Sequence, residues 1–192
     1  MIVLVDLDNT IADFEGNFIR NWRARYPHLP HIPREERKNF YQTKDYPAEH
    51  TAKVKNIIVS EGFFCDLEPL PGAINALHAM LDMDWEVHIC TSSYYNYVEC
   101  VRCKFAWVLE HLGQEWQKRT IIASDKTLVR GDVLIDDRPY IKGNHTPVWE
   151  YILFDQPYNR QVTEFRRMDW SNWRDVLMEV QHDQSARRAL DL

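Results

Sequence analysis

The sequence has no apolar run near the ~20 residues that a helix needs to cross a bilayer. It also lacks internal repeats and low-complexity tracts. Its first residues, MIVLVD, contain no basic leader and no small-residue cleavage site. The cytoplasm is therefore the default expectation for the location of this protein, and a membrane is not an expected partner.

Positive charge is in short supply. The chain has 23 lysines and arginines against 29 aspartates and glutamates, which gives a formal net charge of −6. Proteins that bind a nucleic-acid polymer normally meet its phosphates with a basic stripe, so this balance disfavours such a polymer as a partner. A small anionic ligand is still allowed, because one pocket needs only a few local positive groups.

Cysteine is scarce as well. The residues are too few and too scattered for a disulfide scaffold in a chain of 192 residues: Cys65, Cys90, Cys100 and Cys103. The stretch CVRC lies within a helical pattern, and neither Cys65 nor Cys90 completes a second pair beside it. Zinc binding and redox chemistry are therefore disfavoured.

Strand and helix patterns alternate regularly through most of the chain. Residues 2–7 are a near-continuous apolar run, which is typical of a strand buried on both faces of a parallel sheet. Further strands are predicted at 85–90, 120–123, 133–135 and 149–154, and helices at 73–83, 97–112 and 173–180, with a solvated or frayed helical tail after them. This alternation predicts an α/β fold: a Rossmann-like parallel sheet with helices on both faces.

Residues 15–70 do not follow this alternation. Helical spacing over 14–26, 34–41 and 48–61 is interrupted by three prolines within 27–33, where the chain must turn. We predict a small helical cap over 15–70, inserted after the first strand and standing above the carboxyl ends of the sheet. The catalytic core would then consist of residues 1–14 and 71–192.

Polar residues follow four of the predicted strands. In open α/β sheets the ligand crevice lies at the carboxyl ends of the strands, so these residues are expected to meet at one edge. They are Asp6, Asp8 and Thr10, then Thr91, Ser92 and Ser93, then Lys126, and finally Asp136 and Asp137.

This set suits phosphoryl transfer through an aspartyl intermediate. Asp6, at the tip of the first strand, is the candidate nucleophile, and Asp8 is placed to protonate the leaving oxygen and later to activate water. Thr91 or Ser92 would hold phosphate oxygens together with backbone N–H groups, while Lys126 would balance negative charge. Clustered acids that hold Mg²⁺ would neutralise the charge of the substrate phosphate.

The motifs DLDNT, TSS after VHIC, SDKT around Lys126, and IDDRP resemble the four motifs of the haloacid dehalogenase superfamily of phosphatases. The residues around and between these motifs resemble one family within that superfamily. The stretches VLVDLDNTIADFEGNF, LEPLPGA, KFAWVLEHLG, SDKTLVRGDVLIDDRP and TPVWEYILF together resemble the 5′(3′)-deoxyribonucleotidases, from the first strand to about residue 175.

The resemblance implies Mg²⁺-dependent removal of phosphate from nucleoside monophosphates. The metal positions of the family fall on Asp6, Asp8 and Asp137, with Asp136 adjacent and orienting. The substrate-binding positions that we carry over are Phe14, Phe40, Tyr41, Thr43, Thr91, Ser92, Ser93 and Lys126, of which Phe14, Phe40 and Tyr41 would stack on the base. A homodimer is also an expectation from the resemblance, without independent support in any stretch of this sequence.

Three positions depart from the family pattern. Tyr41 stands where Trp is usual, which bears on base preference, and Ser124 stands where Arg is usual, which removes a phosphate contact. Asn9 replaces the commoner Gly in the first loop, a milder change.

Simpler interpretations compete with each of these assignments. An Asp pair after a strand often caps a helix or shapes a turn, Thr91 to Ser93 suit a helix cap, and the aromatic residues suit ordinary packing. Two other functions are also open: a receiver-like signalling module that keeps its aspartyl phosphate, and a phosphatase for a sugar phosphate or a polynucleotide 3′ end. The cap and Asp8 argue against the receiver, the acidic balance against the polynucleotide, and the aromatic residues against a bare sugar.

Overall fold

The computed structural model of the protein describes residues 1–94 and 97–190, and in this part of the chain six strands form one parallel sheet. The strands are β1 (Ile2–Val5), β2 (Glu86–Thr91), β3 (Thr120–Ile122), β4 (Val133–Asp136), β5 (Glu150–Phe154) and β6 (Arg166–Met168). Their order is β3-β2-β1-β4-β5-β6, so the chain begins in the middle of the sheet. The α/β fold with a Rossmann-like parallel sheet is confirmed. Strand β6 was not predicted, because the three residues RRM show no strand pattern.

Strand β1 is central, and its neighbours determine where the acidic residues meet. Val3 pairs with Val87 of β2 on one side and with Val133 of β4 on the other. Val3 packs into the larger hydrophobic cluster, whereas Leu4 belongs to a second cluster. The strand is thus buried on both faces, as its apolar run predicted, and the carboxyl ends of three strands lie side by side.

Six α-helices complete the described part of the chain. They are α1 (Phe14–Arg25), α2 (Thr51–Ile58), α3 (Ala73–Asp82), α4 (Tyr97–Leu112), α5 (Gln114–Lys118) and α6 (Trp173–Leu190). Helix α1 begins after Asp13, whose side chain accepts a hydrogen bond from the backbone N–H of Gly16 at 2.9 Å. Residues 191 and 192 of the predicted helical tail lie outside the described residues.

The helix predicted over 34–41 is wrong. The chain forms 3₁₀ turns at Arg34–Glu36 and at Gln42–Lys44 instead. Asp45 explains the difference, because its carboxylate accepts hydrogen bonds from the backbone N–H groups of Lys38 and Asn39 and from Arg37. These side-chain bonds compete with the backbone bonds of a helix.

Hydrophobic side chains from residues 15–70 and from the sheet share one core. Phe18, Trp22 and Ile57 belong to the same cluster as Val3 and Val5. The division of the chain into a core and a cap stays a prediction.

Two of the four cysteines are bonded to each other. Cys65 and Cys103 form a disulfide between the segment before α3 and helix α4. The two free cysteines, Cys90 and Cys100, are buried. This single bond was not predicted, because nothing in the sequence between two cysteines separated by 38 positions indicates that they meet.

No helix in the part of the chain that the structure describes is both long enough and apolar enough to cross a membrane.

Candidate active site

Asp6 and Asp136 lie at the ends of neighbouring strands, with Lys126 between them. The backbone N–H of Asp6 donates to the carbonyl of Ile135 at 2.8 Å, which continues the pairing of β1 with β4. Lys126 Nζ lies 2.5 Å from Asp6 Oδ1 and 2.5 Å from Asp136 Oδ2. All three side chains are buried. The predicted meeting of the ends of β1 and β4 with Lys126 is thus present in the structure.

Lys126 is held as an ammonium by its surroundings. Burial by itself would lower its pKa, but the carboxylates of Asp136 and Asp6 outweigh burial and raise the pKa of Lys126 above its ordinary value. The ammonium therefore supplies a positive charge to the two carboxylates, which burial alone would make costly.

Asp137 joins Asp6 and Asp136 in an acidic cluster. One carboxylate oxygen from each of the three lies within 4.8 Å of the others. Burial, followed by the charges of Asp136 and Asp6, raises the pKa of Asp137 well above its usual range. Tyr158 donates its hydroxyl to Asp137 Oδ2, and Asn159 Nδ2 donates to the carbonyl of Asp137 at 2.8 Å.

This acidic cluster fits a small divalent cation. Mg²⁺ prefers oxygen ligands, and one or two carboxylates with water usually suffice to hold it. A cation would relieve the repulsion between the three buried carboxylates. The side chain of Asp8, which the family resemblance also placed among the metal positions, is not in this cluster.

Asp8 instead contacts a lysine that was not among the predicted site residues. Lys104 Nζ lies 2.7 Å from Asp8 Oδ2 and 2.7 Å from Thr91 Oγ1. Asp8 Oδ1 is buried and has no hydrogen-bond partner among the described residues. Both Asp8 and Thr91 line the cavity described below.

A signal for Lys104 was present in helix α4. The buried residues of this helix form one helical stripe: Cys100, Cys103, Lys104, Trp107 and Val108. A lysine within an otherwise apolar stripe is rarely buried without a partner, so it indicates a buried acid nearby. The partner itself, 96 residues away, could not be identified from the spacing.

The first loop has a conformation that explains Asn9. Its φ is 56°, in the left-handed region where Gly and Asn are favoured. Asn9 Oδ1 accepts a hydrogen bond from the backbone N–H of Glu15 at 2.9 Å, and its carbonyl accepts one from Gln156 Nε2 at 2.7 Å. Asn9 in place of Gly thus keeps the backbone conformation of the loop and adds a bond to helix α1.

Thr91 ends β2, Ser92 and Ser93 follow it, and all three residues line the cavity. Thr91 is buried, whereas Ser92 and Ser93 are half-buried. Ser92 Oγ donates to the carbonyl of Ala123 at 2.8 Å, so this hydroxyl also joins the ends of β2 and β3. Ser124 lines the cavity too, at the position where the family pattern has Arg.

A cavity of about 950 Å³, counting the space open to solvent at its mouth, connects the acidic cluster to aromatic side chains. Phe14, Phe40 and Tyr41 line it, whereas Thr43 does not. Phe14 is buried against Phe63, with ring centroids 5.1 Å apart. This size and mixture of walls are typical of a site for a small molecule with one charged end.

Arg138 and several aromatic residues of the cavity wall were not predicted. The guanidinium carbon of Arg138 lies 4.3 Å from the ring centroid of Phe40, and Arg138 Nη1 is 3.3 Å from the hydroxyls of Tyr41 and Tyr140. Phe64 and Tyr94 also line the cavity. Arg138 directly follows the acidic pair in IDDRP, but adjacency in sequence did not indicate that its side chain would cover an aromatic ring.

Comparison with known proteins gives consistent matches. The model of the family "5′ nucleotidase, deoxy (Pyrimidine), cytosolic type C protein" matches residues 1–184. A human protein, "5′(3′)-deoxyribonucleotidase, cytosolic type", is 44% identical, with 91% of this chain and 92% of that protein covered. A Bordetella pertussis protein provisionally named a 5′(3′)-deoxyribonucleotidase is 45% identical, with 92% of this chain and 95% of that protein covered.

Among solved structures, a haloacid dehalogenase family hydrolase from Deinococcus radiodurans, determined with bound phosphate and sodium, is similar in fold. Its TM-score is 0.56 at 13% identity, and the match covers 94% of this chain and 96% of that one.

Proposed function

The chain belongs to the family of cytosolic-type 5′(3′)-deoxyribonucleotidases and is a phosphoric monoester hydrolase, and we propose that it hydrolyses deoxynucleoside monophosphates to nucleoside and phosphate. We further propose that the reaction passes through a phosphoryl group on Asp6 and depends on Mg²⁺. We also propose that this protein is located in the cytoplasm, which the name of the human relative supports.

One observation carries this proposal: a single cavity joins the acid and lysine cluster to a set of aromatic rings. Asp6, Asp8 and Lys126 line this cavity together with Phe14 and Phe40. A nucleoside monophosphate has a charged end and a flat aromatic end. The two kinds of wall therefore match the two ends of such a substrate.

In the first half of the reaction, an oxygen of Asp6 attacks phosphorus and the bond from phosphorus to the sugar oxygen breaks. Asp8 gives the leaving oxygen a proton, so the nucleoside departs as an alcohol. In the second half, water attacks the phosphorus, Asp8 accepts a proton from that water, and the bond to Asp6 breaks. Asp6 is regenerated and inorganic phosphate is released.

Charged and polar groups hold the phosphate during both halves. We assign this role to Lys126, Thr91, Ser92 and Ser93, which line the cavity next to Asp6. Lys126 already contacts Asp6, so the phosphoryl group would be transferred beside a fixed positive charge.

Asp6, Asp136 and Asp137 are the residues that we propose to hold Mg²⁺, with the backbone carbonyl of Asp8 as a further candidate ligand. When bound, Mg²⁺ neutralises phosphate charge and polarises the phosphorus centre toward attack. The fit rests on the all-oxygen donor set and on the repulsion among the three buried carboxylates.

Stacking is the role that we propose for Phe14, Phe40 and Tyr41. Arg138 covers one side of the Phe40 ring, so a base would approach from the other side. Tyr41 is 45% exposed and can reorient when a ligand enters.

The test is phosphate release from a panel of monophosphates that compares deoxyribose with ribose, 5′ with 3′ esters and pyrimidine with purine bases. We expect multiple turnovers on deoxynucleotides with Mg²⁺, none with a chelator, and none for Asp6→Asn although the variant remains folded. Normal turnover by Asp6→Asn would disprove the assigned nucleophile. Preference for sugar phosphates would disprove the substrate class, and a single stable phosphorylation without turnover would point to a signalling module.

A further inference from the structure

A second buried lysine contacts a different pair of site residues from Lys126. Lys126 contacts Asp6 and Asp136, whereas Lys104 contacts Asp8 and Thr91. Lys104 is fully buried, and its Nζ lies 5.6 Å from the ring centroid of Phe64, a residue that lines the cavity.

A fully buried ammonium is costly unless its partners compensate for the loss of water. The partners of Lys104 are two residues with different roles in the proposed reaction: Asp8 exchanges the proton and Thr91 holds the phosphate. Neither partner is close in sequence, since Asp8 is 96 residues away and Thr91 is 13. Helix α4 therefore brings a positive charge to a point where β1 and β2 end.

The hydrogen-bond chemistry of lysine gives this contact a direction. An ammonium has donors only, so Thr91 Oγ must accept from Lys104. The hydroxyl proton of Thr91 is then left to donate elsewhere, and a phosphate oxygen in the cavity is a suitable acceptor. Asp8 Oδ2 likewise accepts from Lys104, which fixes the orientation of the carboxyl group.

We propose that Lys104 is a positioning residue, which holds Asp8 and Thr91 in the geometry that both halves of the reaction need. This inference rests on the proposed function. Lys104 touches neither phosphorus nor the leaving oxygen in this scheme. It acts through Asp8, whose proton transfer it aligns, and through Thr91, whose hydroxyl it directs.

The choice of leaving group separates this role from a general loss of structure. The leaving oxygen of a deoxynucleotide needs a proton from Asp8 so that the nucleoside departs as an alcohol, whereas p-nitrophenolate leaves without one. Water attack on the phosphorylated Asp6 needs Asp8 as a base for either substrate. If Asp8 is misplaced, the transfer of phosphate from p-nitrophenyl phosphate to Asp6 should keep its rate. Hydrolysis of phosphorylated Asp6 should become slower.

The experiment compares Lys104→Met with the wild type on both substrates in the presence of Mg²⁺. For deoxynucleotides we expect kcat to fall about 10²-fold to 10³-fold, the range lost with general acid–base catalysis, and KM to change by less than about tenfold. For p-nitrophenyl phosphate we expect a burst of one p-nitrophenolate per enzyme followed by slow turnover. The double variant with Asp8→Asn should be no slower than Asp8→Asn alone, because both changes remove the same function.

Lys118→Met is the matched control. Lys118 is an exposed lysine of α5 that pairs with Glu115, so its replacement should give the same rates and the same time course as the wild type on both substrates. Circular dichroism and thermal unfolding establish that the variants are folded. If Lys104→Met does not fold, Lys104→Arg is measured, and it should show the same burst with a smaller loss of kcat.

An equal loss on both substrates without a burst would overturn the proposal in favour of a purely structural role, and so would unchanged kinetics. Failure of the proposed function gives a different result. In that case the wild type hydrolyses p-nitrophenyl phosphate but no deoxynucleotide, and the burst test of Lys104 still applies.

Discussion

Lys126 and Asp6 are 120 residues apart in sequence, yet the ammonium of one lies 2.5 Å from a carboxylate oxygen of the other. The contact joins the end of β1 to the turn after β3, across strands that are not neighbours in the chain. It places a positive charge beside the proposed nucleophile, where a phosphate dianion would otherwise be repelled by the surrounding acids.

Lys126→Met should lower both activity and stability. Removing one partner of a buried ion pair leaves the carboxylates of Asp6 and Asp136 uncompensated, which costs about 3–5 kcal/mol. We expect the free energy of unfolding to fall by that amount in metal-free buffer, as measured by urea denaturation. Added Mg²⁺ should recover part of the loss, because it would bind the same carboxylates.

Lys118→Met is the comparison for this prediction too, since exposed substitutions usually change stability by no more than about 0.5 kcal/mol. Equal stability of Lys126→Met and the wild type would contradict the inferred role of Lys126 in balancing the buried charge.

Tyr158→Phe should weaken Mg²⁺ binding. The hydroxyl of Tyr158 donates to Asp137, and groups that orient metal ligands typically account for about 10-fold to 100-fold in affinity. Isothermal titration of the chelator-treated protein with Mg²⁺ measures this change. Tyr151→Phe is the matched control, because the hydroxyl of Tyr151 donates to the carbonyl of Arg138 and not to an acid. Similar Mg²⁺ affinity in all three proteins would refute the orienting role.

Phe40→Ala should raise KM for nucleotides much more than it lowers kcat. A base stacked on an aromatic side chain is worth about 1–3 kcal/mol, so KM should rise roughly 5-fold to 150-fold. The KM for p-nitrophenyl phosphate should change less, because that ester has no base. Tyr97→Ala, on an exposed position of α4, should leave both values as they are. An equal rise in KM for nucleotides and for p-nitrophenyl phosphate would show that the base does not stack on Phe40.

Cys65→Ser should destabilise the oxidised protein. A disulfide that closes a loop of 38 residues stabilises a fold by about 4 kcal/mol in the chain-entropy account. Guanidinium denaturation with and without a phosphine reductant measures this difference, and reduction should affect the wild type but not Cys65→Ser.

Thiol counting provides an independent check on the bond. Burial raises the pKa of Cys90 to about 11 and raises that of Cys100 too, so neither thiol should react in the native protein. Two thiols should react after unfolding without reductant and four after reduction. Four reactive thiols without reductant would show that Cys65 and Cys103 are not bonded.

The structure brings Asp6, Asp136 and Lys126 together at the predicted edge of the sheet, for a simple physical reason. Asp6 follows β1, Asp136 ends β4 and Lys126 lies in the turn after β3, and the parallel strands of an open sheet all end at the same edge. The apolar runs that predict the strands therefore also predict where the next polar residues lie. Small errors at strand ends, such as β1 ending at Val5 and not at residue 7, do not change that edge.

The helix predicted over residues 34–41 is replaced in the structure by 3₁₀ turns at Arg34–Glu36 and Gln42–Lys44. The spacing predicted a helix, but the carboxylate of Asp45 accepts hydrogen bonds from the backbone N–H groups of Lys38 and Asn39 and from the side chain of Arg37. Helical periodicity reports only which face of a segment is apolar. It carries no information on a side chain that competes for the backbone from several residues away.

By itself, the sequence determined the alternation of strands and helices, the edge at which the acids collect, and the family to which the motifs are similar, because each of these depends on residues that are close together in the chain. Only the tertiary structure decided that Lys104 meets Asp8, that Tyr158 meets Asp137, and that Cys65 meets Cys103. These pairs depend on how helices and loops pack against the sheet, and packing between distant segments leaves no periodic trace in either of them.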